Sequence, residues 1–127
     1  EVFTRQRLRQ TLEFLRDHAE FRPEMVEIEG WPDFATVEAE EIEALGEIAR
    51  DFELAVWVTG HTHRDDAIDA RGIPEWLARV EEHFAVIMSL EPEAKHIPIR
   101  FVKVHGGSPR QDVHLEFDPS TLLIRWS

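Results

Sequence analysis

Phe3, Leu8, Leu12, Leu15 and Ala19 recur at helical spacing among arginines, glutamines and glutamates. The spacing predicts an amphipathic helix over 3–19. After Pro23 comes a short apolar run, Met25, Val26 and Ile28, closed by Gly30-Trp31-Pro32. This predicts a strand over 24–29. Glu27 is an odd residue for a buried central strand, so that face is either partly open or supplies the acid with a partner. Val37, Ile42, Leu45 and Ile48 then line one helical face, with Glu38, Glu40, Glu41, Glu43 and Glu47 opposite. Thr36 is the expected cap, and the early acids suit the N-terminal dipole. "ELAVWV" (53–58) is a continuous β-favouring run, the pattern of a strand buried on both faces. Helix, strand, helix, strand in this order implies a parallel pair with a right-handed crossover.

Residues 60–73 are polar and read as a loop. Pro74 can open a short helix with Trp76, Leu77 and Val80 on one side. "FAVIMSL" (84–90) predicts another buried strand, and "EPEAKHIP" a turn or loop. "IRFVKVH" (99–105) and "DVHLEF" (112–117) alternate in polarity and flank "GGSPRQ", which predicts an antiparallel hairpin. Asp118-Pro119-Ser120-Thr121 makes a tight turn into a last strand, "LLIRW". There is no internal repeat and no interior linker. The expectation is one α/β domain over 1–127, with parallel strands and crossover helices followed by a C-terminal antiparallel hairpin.

Composition narrows the function classes. Apolar residues make up 43% and charged residues 31% of the 127 positions, a balance that fits a globular chain and argues against disorder. The net charge is −12: residues 1–53 hold 15 acids and 6 bases, residues 54–127 hold 11 and 8. A phosphate backbone needs a basic stripe, so direct nucleic-acid binding is not expected. The longest apolar runs are far below the roughly 20 residues of a membrane helix, and no signal-peptide pattern is present. With no cysteine there is neither a disulfide framework nor a thiolate zinc site. A reducing, cytoplasmic setting is compatible with that. The chain opens at Glu1 on a helical pattern already under way, which points to a fragment or a processed chain.

Three features carry candidate chemistry. Gly60-His61-Thr62-His63 follows an apolar strand and resembles the last metal motif of calcineurin-like metallophosphoesterases. A dinuclear site needs several further ligands, and His18 is the only histidine before His61. The packing default is two surface histidines on a loop. "RPEMVEIEGW" is an apolar strand ending in an acid, the Walker B pattern. There a carboxylate at a strand tip holds a water of the Mg²⁺ shell or orients the attacking water. Glu29 occupies that place. Trp31, Trp57 and Trp76 default to packing, and Asp65, Asp66 and Asp69 to a solvated loop.

The third feature is the order of elements. A helix, a strand ending in acid-Gly, an acidic helix, "LAVWVTG", a polar loop, "IPEWL", "FAVIMSLEPE", "IRFVKVHGG" and "VHLEFDPSTLLI" together resemble the second half of a RecA/KaiC-like ATPase core, over about 12–124. The resemblance implies a three-layer RecA-like partial core, ATP and Mg²⁺ as ligands, and oligomer partners. It implies a catalytic carboxylate at Glu29, acting on Mg²⁺ indirectly, and a sensor hydroxyl at Thr59 near the γ-phosphate, with His61 next to it. It places Lys103 where a lysine reaches a neighbouring subunit's nucleotide. His105 stands where that family often has an arginine, and a neutral imidazole does not replace a guanidinium. No G-x-x-x-x-G-K-[ST] occurs in the chain. Gly106-Gly107-Ser108 cannot serve, because no lysine follows. The phosphate grip and one central strand are therefore missing. The expected partner is the missing N-terminal half or a further copy in a homo-oligomer. The rival expectation is a degenerate, non-catalytic module that dimerises or regulates.

Overall fold

The computed structural model describes residues 3–105 and 114–126. The fold is mixed α/β and divides into two compact units, Glu1–Asp66 and Ala67–Ser127.

The first unit has helix α1 (Arg5–His18), strand β1 (Met25–Ile28), helix α2 (Ala39–Asp51) and strand β2 (Ala55–Val58). α1 starts where the Thr4 hydroxyl accepts the Arg7 N–H, satisfying one of the orphan donors of the first turn. α2 starts two residues later than Thr36 would place it. Asp33 takes the Ala35 N–H on its carboxylate and the Thr36 N–H on its carbonyl, which holds Thr36 in a turn. Glu38 caps the helix instead, its N–H donating to the Glu41 carboxylate at 3.0 Å.

β1 and β2 are parallel, with Ile28 opposite Val58. Leu12 of α1, Ile48 of α2 and Leu54 form the buried cluster, and Leu8, Val26, Ala49, Phe52 and Val56 pack against it. One helix face and one strand face are thus joined in a single core. The other face is open. Glu27 is exposed, so the open-face alternative holds for it. β2 differs from its expected two-sided burial: Ala55 is exposed and Val56 to Val58 are only half-buried. Among the described residues β2 pairs with β1 alone, and an apolar run cannot report how many neighbours it has.

The second unit holds a short helix α3 (Glu75–Ala78), a 3-10 turn (Glu81–His83) and strands β3 (Val86–Leu90), β4 (Ile97–Val104), β5 (Leu115–Asp118) and β6 (Leu123–Trp126). The strands form one antiparallel sheet in the order β3-β4-β5-β6. The expected hairpin is there as β4 and β5, with Ile97 to Ile99 facing Phe117 to Leu115. Its "GGSPRQ" connection and residues 112–113 lie outside the described residues. β3 is less buried than its composition predicts. Ile87 is buried, but Met88 and Leu90 are exposed, and the register shifts between Ile87 and Met88.

Residues 60–73 form a loop, as the polar run predicts. Its end is tied by Asp69, whose Oδ1 accepts the N–H groups of Arg71 and Ile73 at 2.8 and 3.0 Å. Ile73 is then among the most buried side chains of the chain, with Val80. Gly72 sits at φ +86°, which favours glycine; a Cβ there would also push aside the Arg100 guanidinium, the mobile end of a half-exposed side chain. The Ile73 N–H, followed by the Arg71 side chain, holds the Asp69 carboxyl below the usual carboxylate range. A depressed folded value means this stabilisation is complete above the unfolded value of 3.8 and is lost as pH falls through the folded one. Thermal unfolding of Asp69→Asn and the parent should therefore differ at pH 7 and converge as the pH falls through the depressed folded value. A difference that persists in acid would contradict this role.

Candidate functional site

β1 and β2 run in the same direction and end on the paired residues Ile28 and Val58. Glu29 and Thr59 come next on each strand, so both follow adjacent strand ends at the C-terminal edge of the parallel pair. The register alone sets this placement, because adjacent parallel strands that end level deliver their following residues to one edge. Both residues are exposed. Gly30, at φ +73°, turns the chain away directly after Glu29 and leaves the carboxylate at the tip.

The loop after Thr59 is exposed from Gly60 to Asp65. The His63 N–H donates to Asp66 Oδ2 at 2.7 Å, and the Asp66 N–H returns to the His63 carbonyl at 3.1 Å. This reciprocal turn fixes the far end of the Gly-His-Thr-His segment, a contact that sequence reasoning missed. The Asp three residues after a loop histidine was its only trace. His61 stays in the exposed part of the loop, two residues beyond Thr59. Among the described residues, no group of three or more His, Asp or Glu side chains is arranged to hold a metal ion.

The remaining candidates lie in the second unit. Lys103, on β4, is half-buried and donates from Nζ to the Glu81 carbonyl at 2.9 Å, which fastens the 3-10 turn to the sheet. His105 follows β4 at φ 46°, and its N–H donates to the Ala85 carbonyl. The Lys103 side chain therefore has a structural role that alternation along the strand did not reveal, whereas the His105 contact is made by the main chain. Glu29, Thr59 and His61 are the candidates that belong to the first unit.

Chemically, the two strand ends carry a carboxylate and a hydroxyl, and an imidazole follows two residues along the loop. A carboxylate with free oxygens can accept from metal-bound or nucleophilic water. A hydroxyl can donate to a phosphate oxygen. These oxygen donors suit the water shell of Mg²⁺. A tight phosphate grip needs a cradle of backbone amides and a lysine, and the chain has no sequence of that form.

A second surface feature is an open groove of about 610 Å³ in the first unit, lined by Phe3, Arg5, Arg9, Trp31, Glu41 and Glu47 among others. Phe3 and Trp31 meet across it with ring centroids 5.0 Å apart. The expected packing role of Trp31 fits this contact. Arg9 is engaged by Asp51 at 2.9 Å.

No protein-family model matches the chain, and a search of curated proteins returns no match.

Proposed function

We propose that these 127 residues are the Walker B and sensor half of a RecA/KaiC-like ATPase core. The supporting observation is the paired strand ends: Ile28 opposite Val58, with Glu29 and Thr59 the next residues at the C-terminal edge of two parallel strands joined through α2. Phosphoryl transfer asks the protein for positioning and electrostatics rather than covalent chemistry. In this reading Glu29 accepts from a water of the Mg²⁺ shell or orients the attacking water. Thr59 donates to the terminal phosphate, and His61 borders it. Lys103 and His105 belong to the sheet that, in the parent assembly, lies towards a neighbouring subunit's nucleotide.

The sheet edges support the same reading. Among the described residues β2 pairs with β1 alone, which leaves a row of backbone donors and acceptors that a further strand can satisfy. In a three-layer RecA-like core that strand carries the phosphate-binding loop. It comes from another segment of the parent protein or from another copy. A cytoplasmic setting, where ATP and Mg²⁺ are abundant and cysteine-free chains are at home, goes with this proposal.

The proposal makes a definite statement about the chain by itself. Without the amide cradle and its lysine, Mg-ATP should bind to the isolated 127 residues more weakly than about 1 mM. Isothermal titration checks this. Saturable binding at micromolar Mg-ATP would mean that the phosphate is held by residues other than those assigned, and the proposal would fall.

A further inference from the structure

The least covered part of the second unit is its last strand. Leu122, Leu123, Ile124 and Trp126 are 73%, 65%, 62% and 74% exposed. They are four of the seven large apolar side chains that the described part of residues 67–127 leaves exposed, and all fall within five consecutive positions. β6 pairs with β5 on one side and, among the described residues, with nothing on the other. Edge strands are ordinarily shielded by charge, by proline or by a covering segment. β6 has one charge, Arg125, and that charge is already answered: its Nε donates to Glu116 Oε1 at 2.6 Å.

We infer that β6 is the interface of a homodimer, pairing antiparallel with β6 of a second copy about a twofold axis. This stands on the second unit alone and is independent of the nucleotide reading. Two arguments favour a second copy. The first is register. A continuous sheet through a twofold axis must place residues of the same face opposite one another. With the axis at Arg125 two guanidinium groups would oppose each other, which is unfavourable. With the axis at Ile124, Ile124 faces its own copy and Leu123 faces Arg125 of the partner. No like charges meet. An axis at Ile124 is therefore free of like-charge opposition, whereas an axis at Arg125 is not.

The second argument is area. Four large apolar side chains at these exposures present on the order of 500 Å² per chain over both faces, so the pair buries at most roughly 1,000 Å², the low end for a specific interface. Main-chain hydrogen bonds between the two edges add to that. The pairing is thus expected to be real but modest. It joins the two four-stranded sheets into one of eight.

The chain has no cysteine, so one introduced thiol reports on one position. Sedimentation equilibrium should show the apparent mass rising from one chain towards two between about 10 and 500 µM. Ile124→Lys, with an unchanged circular dichroism spectrum, should weaken the association by about ten-fold or more, because two ammonium groups would then oppose each other. Under mild oxidation Ile124→Cys should form a covalent dimer, since opposite Cα atoms at about 4.5–5.5 Å lie within disulfide range. Met25→Cys, equally exposed but in the first unit, should cross-link at least about ten-fold more slowly. A parent chain that stays monomeric through 500 µM overturns the inference. So does an association that Ile124→Lys leaves unchanged, or equal cross-linking at positions 25 and 124.

Discussion

Ile48→Ala is expected to lower the unfolding free energy of the first unit by about 2–5 kcal/mol. Ile48 is 2% exposed and sits in the cluster that joins α1, α2 and the residue entering β2. Truncation removes its transfer free energy and leaves a cavity whose walls come from three elements, so collapse around it is hindered. Against a typical total of about 5–15 kcal/mol the loss is large. Urea unfolding followed by circular dichroism measures it. Phe14→Ala is the reference. Phe14 is 59% exposed on α1, and its loss should stay within about 0.5 kcal/mol. Equal midpoints for the two variants would contradict the assigned core. The consequence reaches the site, because Val26 of β1 and Val56 of β2 pack on this same cluster. Loosening it loosens the two strands whose ends carry Glu29 and Thr59.

Most of the first unit is legible in the sequence because it is built from local periodicity. The 3.6-residue repeat of Leu8, Leu12 and Leu15 gives α1, and the repeat of Ile42, Leu45 and Ile48 gives α2. The short apolar runs give β1 and β2, and their alternation with helices gives the parallel pairing. The start of α2 was not legible. Thr36 and Glu38 are both acceptable caps, and the choice is made by Asp33, which captures the backbone ahead of the helix. Burial of β2 was not legible either, because the apolar content of a strand does not count its neighbours.

In the second unit the strands are readable but their partners are not. "FAVIMSL" looks the same whether its neighbour runs parallel or antiparallel, and only the structure pairs β3 antiparallel with β4. "LLIRW" reads as a strand, yet nothing in its pattern says that the side chains on both of its faces stay exposed. Glu116 is the sharpest case. An acid in an alternating strand reads as solvent-facing, but Glu116 is buried, with Arg125 at 2.6 Å and His96 Nε2 at 3.8 Å. The ion pair forms across strands, and strand pairing is a non-local property. At the candidate site, the strand-tip positions of Glu29 and Thr59 were legible because a tip is where an apolar run stops. The Lys103 contact with the Glu81 carbonyl was not, since it depends on where a separate turn lies.

Glu29→Gln carries the other large effect. The change keeps the size of the side chain and removes its charge, so a carboxylate acting on water is lost while the strand end is preserved. Glu29 is exposed, and the variant should fold as the parent does. Glu27→Gln, an equally exposed acid on the same strand, is the control and should change turnover less than about two-fold. The deciding measurement is Mg²⁺-dependent ATP turnover by the native gene product that contains these residues, with and without Glu29→Gln. The account predicts measurable turnover in the parent, a fall in kcat of about 10²–10⁴-fold in the variant, and ATP affinity within a few-fold of the parent. A parent without Mg²⁺-dependent ATP turnover, or a Glu29→Gln variant that turns over at the parent rate, would contradict it.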